Sequence, residues 1–138
     1  MIAVVLSRFF ARLRQEFFDS AMRETNAASR VHAFLLSGER AARRASDRFM
    51  ADLDSDAKAS RLFDQHLKQC VDILVGILDS GIDDGELKFV DTRIVAEALF
   101  AAARRLRDPE IVKRSEKGYE GALTELRMLI EQGIVRRI

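Results

Sequence analysis

Ala57-Lys58-Ala59-Ser60-Arg61-Leu62-Phe63-Asp64-Gln65-His66-Leu67-Lys68-Gln69-Cys70-Val71-Asp72-Ile73-Leu74-Val75-Gly76-Ile77-Leu78-Asp79-Ser80 is the stretch that decides the fold class. Leu62, Phe63, Leu67, Cys70, Ile73, Leu74, Ile77 and Leu78 recur at steps of three and four, the apolar face of a long helix. Asp54 or Ser55 is placed to cap its start, and Gly81 to end it in a left-handed conformation. Downstream, Asp83-Asp84-Gly85 is turn chemistry, because Asp hydrogen-bonds locally and Gly supplies positive φ. Asp91 caps a further helix through about Arg107, with Ile94, Val95, Ala98, Leu99, Ala102 and Leu106 on one stripe. Asp108-Pro109-Glu110 reads as a stop and a restart, with Pro at the first position of a last helix over about 110–133 that Gly133 closes.

Upstream the same period continues. A short segment carries Phe49 and Leu53, with Ser46 or Asp47 as its cap. A helix over about 27–44 carries Val31, Phe34 and Leu35, with Arg40, Arg43 and Arg44 near its end, where cations suit the helix dipole. The first helix, about 2–25, shows Ile2, Val5, Leu6, Phe9, Leu13 and Phe17 at helical spacing and starts at Met1 without a capping residue, a hint that residues once preceded it. No useful alternation of period two occurs. The expectation is an all-α helical bundle of about six helices in a single domain, residues 1–138.

Composition agrees and narrows the function classes. A chain of 138 residues can build one core, and 48% hydrophobic with 33% charged residues is a globular balance. Lys+Arg 23 against Asp+Glu 22 leaves a net charge of +1, which gives no push toward nucleic acid. Cys70 stands alone, so no internal disulfide exists and nothing asks for an oxidising compartment. No stretch approaches the length of a membrane span, and a cytoplasmic protein is expected.

Motifs for chemistry are few. Asp52-x-Asp54-x-Asp56 opens like a calcium loop, but Ala57 and Phe63 stand where such a loop needs Gly and a bidentate Glu, so it reads as an acidic, helix-capping turn. His66 and Cys70, four apart, could be a thiol–imidazole pair or two metal ligands, yet the only other His is His32 and no second Cys exists. No phosphate loop, nucleophile elbow or arranged carboxylate pair is present. The reading is therefore no enzyme, no metal and no cofactor. Arg40, Arg43, Arg44 and Arg48 read as a solvated face in a nearly neutral chain. The excess is in phenylalanine: 9 Phe, with Phe9, Phe10, Phe17, Phe18, Phe34, Phe49 and Phe63 in the first half, which serve either as core or as the lining of an apolar pocket. The last two helices are rich in small residues, among them Ala96, Ala98, Ala101, Ala102, Ala103 and Ala122, which suits close helix approach within the monomer or between two copies.

The run Ile77-Leu78-Asp79-Ser80-Gly81-Ile82-Asp83-Asp84-Gly85-Glu86-Leu87-Lys88-Phe89, followed by Asp91 and Ala96-x-Ala98-Leu99, resembles the C-terminal domain of tetracycline-repressor (TetR) family regulators. The opening through Phe9-Phe10-Ala11-Arg12-Leu13 is similar to that family's long connecting helix, and helix order agrees over nearly the whole chain. The resemblance implies a small-molecule effector domain that homodimerises, with pocket helices in residues 1–90 and dimerisation helices in 91–138. By position the ligand-binding candidates are Phe10, Leu13, Phe17, His32, Leu36, Phe63, His66 and Cys70. The dimer-interface candidates are Ile94, Ala98, Leu99, Ala102, Leu106, Ala122, Leu126 and Leu129. The family's helix-turn-helix module would precede Met1 and is not among these residues, so this chain as given is expected to meet DNA only through such a module. The alternative expectation is a helical protein–protein interaction module with a solid core. A thiol- or metal-dependent enzyme built on His66 and Cys70 is a third.

Overall fold

A computed structural model describes residues 2–135; Met1, read above as a start without a cap, and the side chain of Ile2 lie outside the described residues. The chain forms an all-α bundle: α1 (Ile2–Met22), α2 (Ala27–Arg44), α3 (Asp47–Ser55), α4 (Ala57–Asp83), α5 (Thr92–Arg105), α6 (Pro109–Val112) and α7 (Gly118–Ile134). Among the described residues there is no strand, only one isolated antiparallel bridge between Leu87 and Val135.

Helix starts follow local polar chemistry. The side chains of Asn26, Ser46, Asp91 and Asp108 accept from the backbone N–H groups of Ser29, Phe49, Ile94 and Glu110. Each such cap is worth about 1 kcal/mol. For α4 the cap is Asp56, not Asp54 or Ser55, and it serves the N–H groups of both Lys58 and Ala59. Asp54 and Ser55 are the last turn of α3. The third carboxylate of the calcium-like run is thus spent on a helix end.

Two helix ends differ from the sequence reading. Gly81 does not terminate α4; the helix runs on to Asp83, and Gly85, at φ 76°, makes the left-handed turn. Gly81 is needed for another reason. A Cβ there would lie 2.5 Å from Leu87 Cδ1 and 2.8 Å from Ala27 Cβ, so this glycine lets α2 and the 84–91 connection seat directly on α4. We expect Gly81→Ala to destabilise the protein by about 1–3 kcal/mol through overpacking, outweighing the ~1 kcal/mol of helix propensity gained. Gly76→Ala, with nothing within 4 Å, should keep the propensity gain and stabilise. Parallel urea titrations check both, and equal effects would refute the close-approach argument.

The helix expected over 110–133 is two helices. The backbone leaves α6 after Val112, the Ser115 hydroxyl accepts from Lys117 N–H, and Gly118 enters α7 at φ 68°. Gly133 does not close α7, which includes Ile134; the Ile134 carbonyl accepts from Lys88 N–H at 2.9 Å and ties the helix end to the 84–91 connection.

α4 is the spine. Its Cys70, Val71, Leu74, Ile77 and Leu78 are buried with Phe17 and Ala21 from α1, Val31, Phe34 and Leu35 from α2, and Ala96 and Leu99 from α5. A second cluster joins Phe10, Leu53 and Ala59, flanked by Phe49, Met50, Leu62 and Phe63. The dimer-interface candidates divide. Leu99 is buried and Leu126 packs partly buried against the core, so both serve the monomer's own interior. An apolar stripe on an amphipathic helix does not say which neighbour it meets, and here those two leucines turn toward the core. Ala102, Leu106 and Ala122 are half-buried, whereas Ile94, Ala98 and Leu129 are exposed.

Candidate functional site

The bundle does not close completely. A cavity of about 700 Å³ lies between α1, α2, α3, α4, α5 and α7. α1 supplies Phe9, Phe10, Leu13 and Phe17, and α4 supplies Phe63, His66 and Cys70, because residues three, four and seven apart share a helix face. Their rings interlock. Phe10 stacks on His66 with centroids 4.7 Å apart at 18°, and meets Phe63 at 5.8 Å. Phe17 meets Phe34 edge-on at 6.0 Å, and Phe9 meets Phe49 at 6.1 Å.

Of the ligand-binding candidates, Phe10, Leu13, Phe17, Phe63, His66 and Cys70 line this cavity, and His32 and Leu36 do not. The reason is the register of α2. Phe34, Leu35, Gly38, Ala41 and Ala42 face the cavity. At 100° per residue that turns Leu36 to the far side and His32 toward α7. There His32 Nδ1 pairs with Glu131 at 2.8 Å, half exposed. The cavity is also not confined to residues 1–90. Leu99, Phe100, Ala103, Arg104 and Arg107 from the α5 end, and Tyr119, Leu123, Leu126 and Arg127 from α7, complete its wall. Sequence periodicity shows that these helices have an inner face but not what that face encloses.

Polar groups on the lining are held by partners. Glu39, 6% exposed, accepts from the Thr124 hydroxyl at 2.7 Å, from Arg43 at 2.8 Å and from Arg127 Nε at 2.7 Å. Burial pushes the Glu39 carboxyl up, but the Thr124 and Arg127 hydrogen bonds and the Arg127 and Arg43 charges together hold it below its ordinary 4.5. Nothing in the sequence pointed to Glu39; its partners on α7 are 85 and 88 residues away.

His66 is buried, and burial, with the Arg14 charge as the lesser cause, lowers it from 6.5 to about 4. Arg14 donates to its Nδ1 at 3.0 Å, which fixes that nitrogen as the acceptor of a neutral ring. Burial raises the Cys70 thiol to about 12, only partly opposed by Arg14. The sulfur lies 3.7 and 3.9 Å from the two ring nitrogens, nearly equidistant, rather than in line with one lone pair. A thiol nucleophile needs a lowered thiol and a basic imidazole, and both shifts run the other way. Among the described residues no group of three His, Cys, Asp or Glu side chains is placed to hold a metal ion.

Arg107 closes the end of the cavity nearest α6. It donates to the carbonyls of Ala42 and Ala45 at the end of α2 and to the Tyr119 hydroxyl, with its guanidinium 4.9 Å over the Tyr119 ring. Its buried Nε has no partner among the described residues.

The arrangement is therefore an apolar, ring-lined cavity with its charged groups gathered toward one end. Among the described residues no helix is long and apolar enough to cross a membrane. No protein-family model, curated protein or solved structure matches the chain.

Proposed function

We propose that this chain is the ligand-sensing and homodimerisation domain of a TetR-like transcriptional repressor, taking a small apolar or amphipathic effector between α1, α2, α4 and α5. The observation that carries the reading is the cavity of about 700 Å³ lined by phenylalanine rings. That volume lies in the range of small-molecule pockets, roughly 300–1,000 Å³. A tightly packed interaction module has no such space, so the cavity weighs against the solid-core alternative.

The effector would act by stabilising one arrangement of the helices it touches. α1 both lines the cavity and carries the N-terminal end of the bundle, so a ligand-dependent tilt of α1 would reach a helix-turn-helix module outside this chain, and through it DNA. For the dimer, Ile94 at 65% and Leu129 at 68% exposure leave apolar surface on the adjoining helices α5 and α7. An isologous contact of these two helices with the same pair of a second copy would cover it.

Light scattering and thermal melts on one sample test both parts. The expected mass is about twice 15.6 kDa. Melts against straight-chain alcohols, steroids and fused aromatics should show at least one compound that raises the midpoint. A ligand at a hundred times its Kd adds about 2.7 kcal/mol to the folded state. A monomer whose midpoint no compound moves would overturn the reading.

A further inference from the structure

The charge on the cavity wall is uneven. Apart from Glu16, which is exposed, and His66, which is neutral, the lining from α1, α3 and α4 is apolar. The cations come from elsewhere: Arg44 at the end of α2, Arg104 and Arg107 at the end of α5, and Arg127 on α7. Arg127 is spent on Glu39 and Glu131. Arg107 is spent on the end of α2 and on Tyr119. Arg104 is different. Its partner is Asp64 at 2.7 Å, and the two side chains are 49% and 47% exposed, so the pair is solvated, weak and exchangeable. Its guanidinium also sits 5.5 Å over the Phe63 ring, at the point where the aromatic lining begins. From there the lining runs inward from the half-buried Phe63 to the buried Phe10 at 5.8 Å and on to the buried His66 ring, 4.7 Å from Phe10. Arg44 has no carboxylate within ion-pair distance among the described residues.

We infer that the ligand is an amphipathic carboxylate, its head taken by Arg104 in place of Asp64 and its alkyl or aryl tail laid along Phe63 and Phe10. The inference rests on the cavity being a ligand site, as proposed above. A planar guanidinium accepts a carboxylate through two parallel N–H donors, and a half-solvated rim lets the head remain partly in water while the tail is buried. A cationic amphiphile would meet Arg44, Arg104 and Arg107 at this end and be repelled.

The test compares decanoate, 1-decanol and decyltrimethylammonium, each below its micelle concentration at neutral pH, by titration calorimetry and thermal midpoint. Decanoate should bind at least about tenfold more tightly than 1-decanol, the gain expected of a charge-assisted hydrogen bond. Arg104→Gln should remove that preference, bringing the affinity for decanoate down to that for 1-decanol in the same variant. Equal binding of decanoate and 1-decanol, a preference for the cation, or a preference for decanoate that survives R104Q would overturn the inference while leaving the cavity standing as a ligand site. If neither decanoate nor 1-decanol binds, this inference is overturned, and the sensing reading is decided separately by the wider panel of compounds above.

Discussion

Glu39→Gln should lower the unfolding free energy by about 3–5 kcal/mol, the usual cost of removing one partner of a buried ion pair. The amide is nearly the same size as the carboxylate, so packing is not the cause. Both carboxylate oxygens accept: Oε2 from Arg127, and Oε1 from Arg43 and Thr124. Whichever way the amide is turned, its NH2 faces a donor, and Arg127, only 16% exposed at the side chain, loses its buried countercharge. At this chain length the loss appears as a fall of roughly 10 °C or more in the thermal midpoint. Glu39→Met combined with Arg127→Met removes both buried charges, and the double variant should be more stable than the sum of its single variants. Additive costs would mean that Glu39 and Arg127 are held by their own surroundings rather than by each other. The network joins α2 to α7 across one wall of the cavity, so the same cycle measures what keeps that wall in place.

This interaction was not legible in the sequence, and the reason is physical. A single Glu between apolar and basic residues of a helix looks the same whether it meets water or an arginine that arrives 88 residues later. Local features were legible. The limits of α2, the caps at Ser46, Asp91 and Asp108, and the inner faces of α1 and α4 all follow from periodicity and from which side chains satisfy a free N–H. Hence Phe10, Leu13 and Phe17, with Phe63, His66 and Cys70, lie together as expected. Where two structures share one sequence signal, the reading fails. A glycine after an apolar stripe marks either a helix end or a close approach, and at Gly81 only Leu87 and Ala27 decide between them. An apolar stripe likewise serves the core or a partner, and Leu99 and Leu126 went to the core. His32 and Leu36, expected at the pocket by position, lie off it because the register of α2 turns them away.

Acidification should weaken the fold before any carboxylate is responsible. The unfolded chain carries His66 at its ordinary 6.5, and the folded protein holds it near 4, so between these values the unfolded state binds the proton first. The contribution of His66 to stability is therefore complete above pH 6.5 and disappears as the pH falls toward 4. By linkage the loss is about 2 kcal/mol at pH 5 and about 3 kcal/mol at pH 4. Glu39 is also lowered, but from 4.5, so its contribution is lost only below that value, and the two windows separate. Urea titrations at pH 7 and pH 5 should show the fall in the native protein. His66→Phe keeps a ring against Phe10 and has no proton to take up, so its stability should be nearly flat over the same interval. A variant that falls as steeply as the native protein would place the titrating group elsewhere. Any ligand packed against the neutral His66 ring would bind the deprotonated form, and its affinity should fall with the fold as the pH approaches 4.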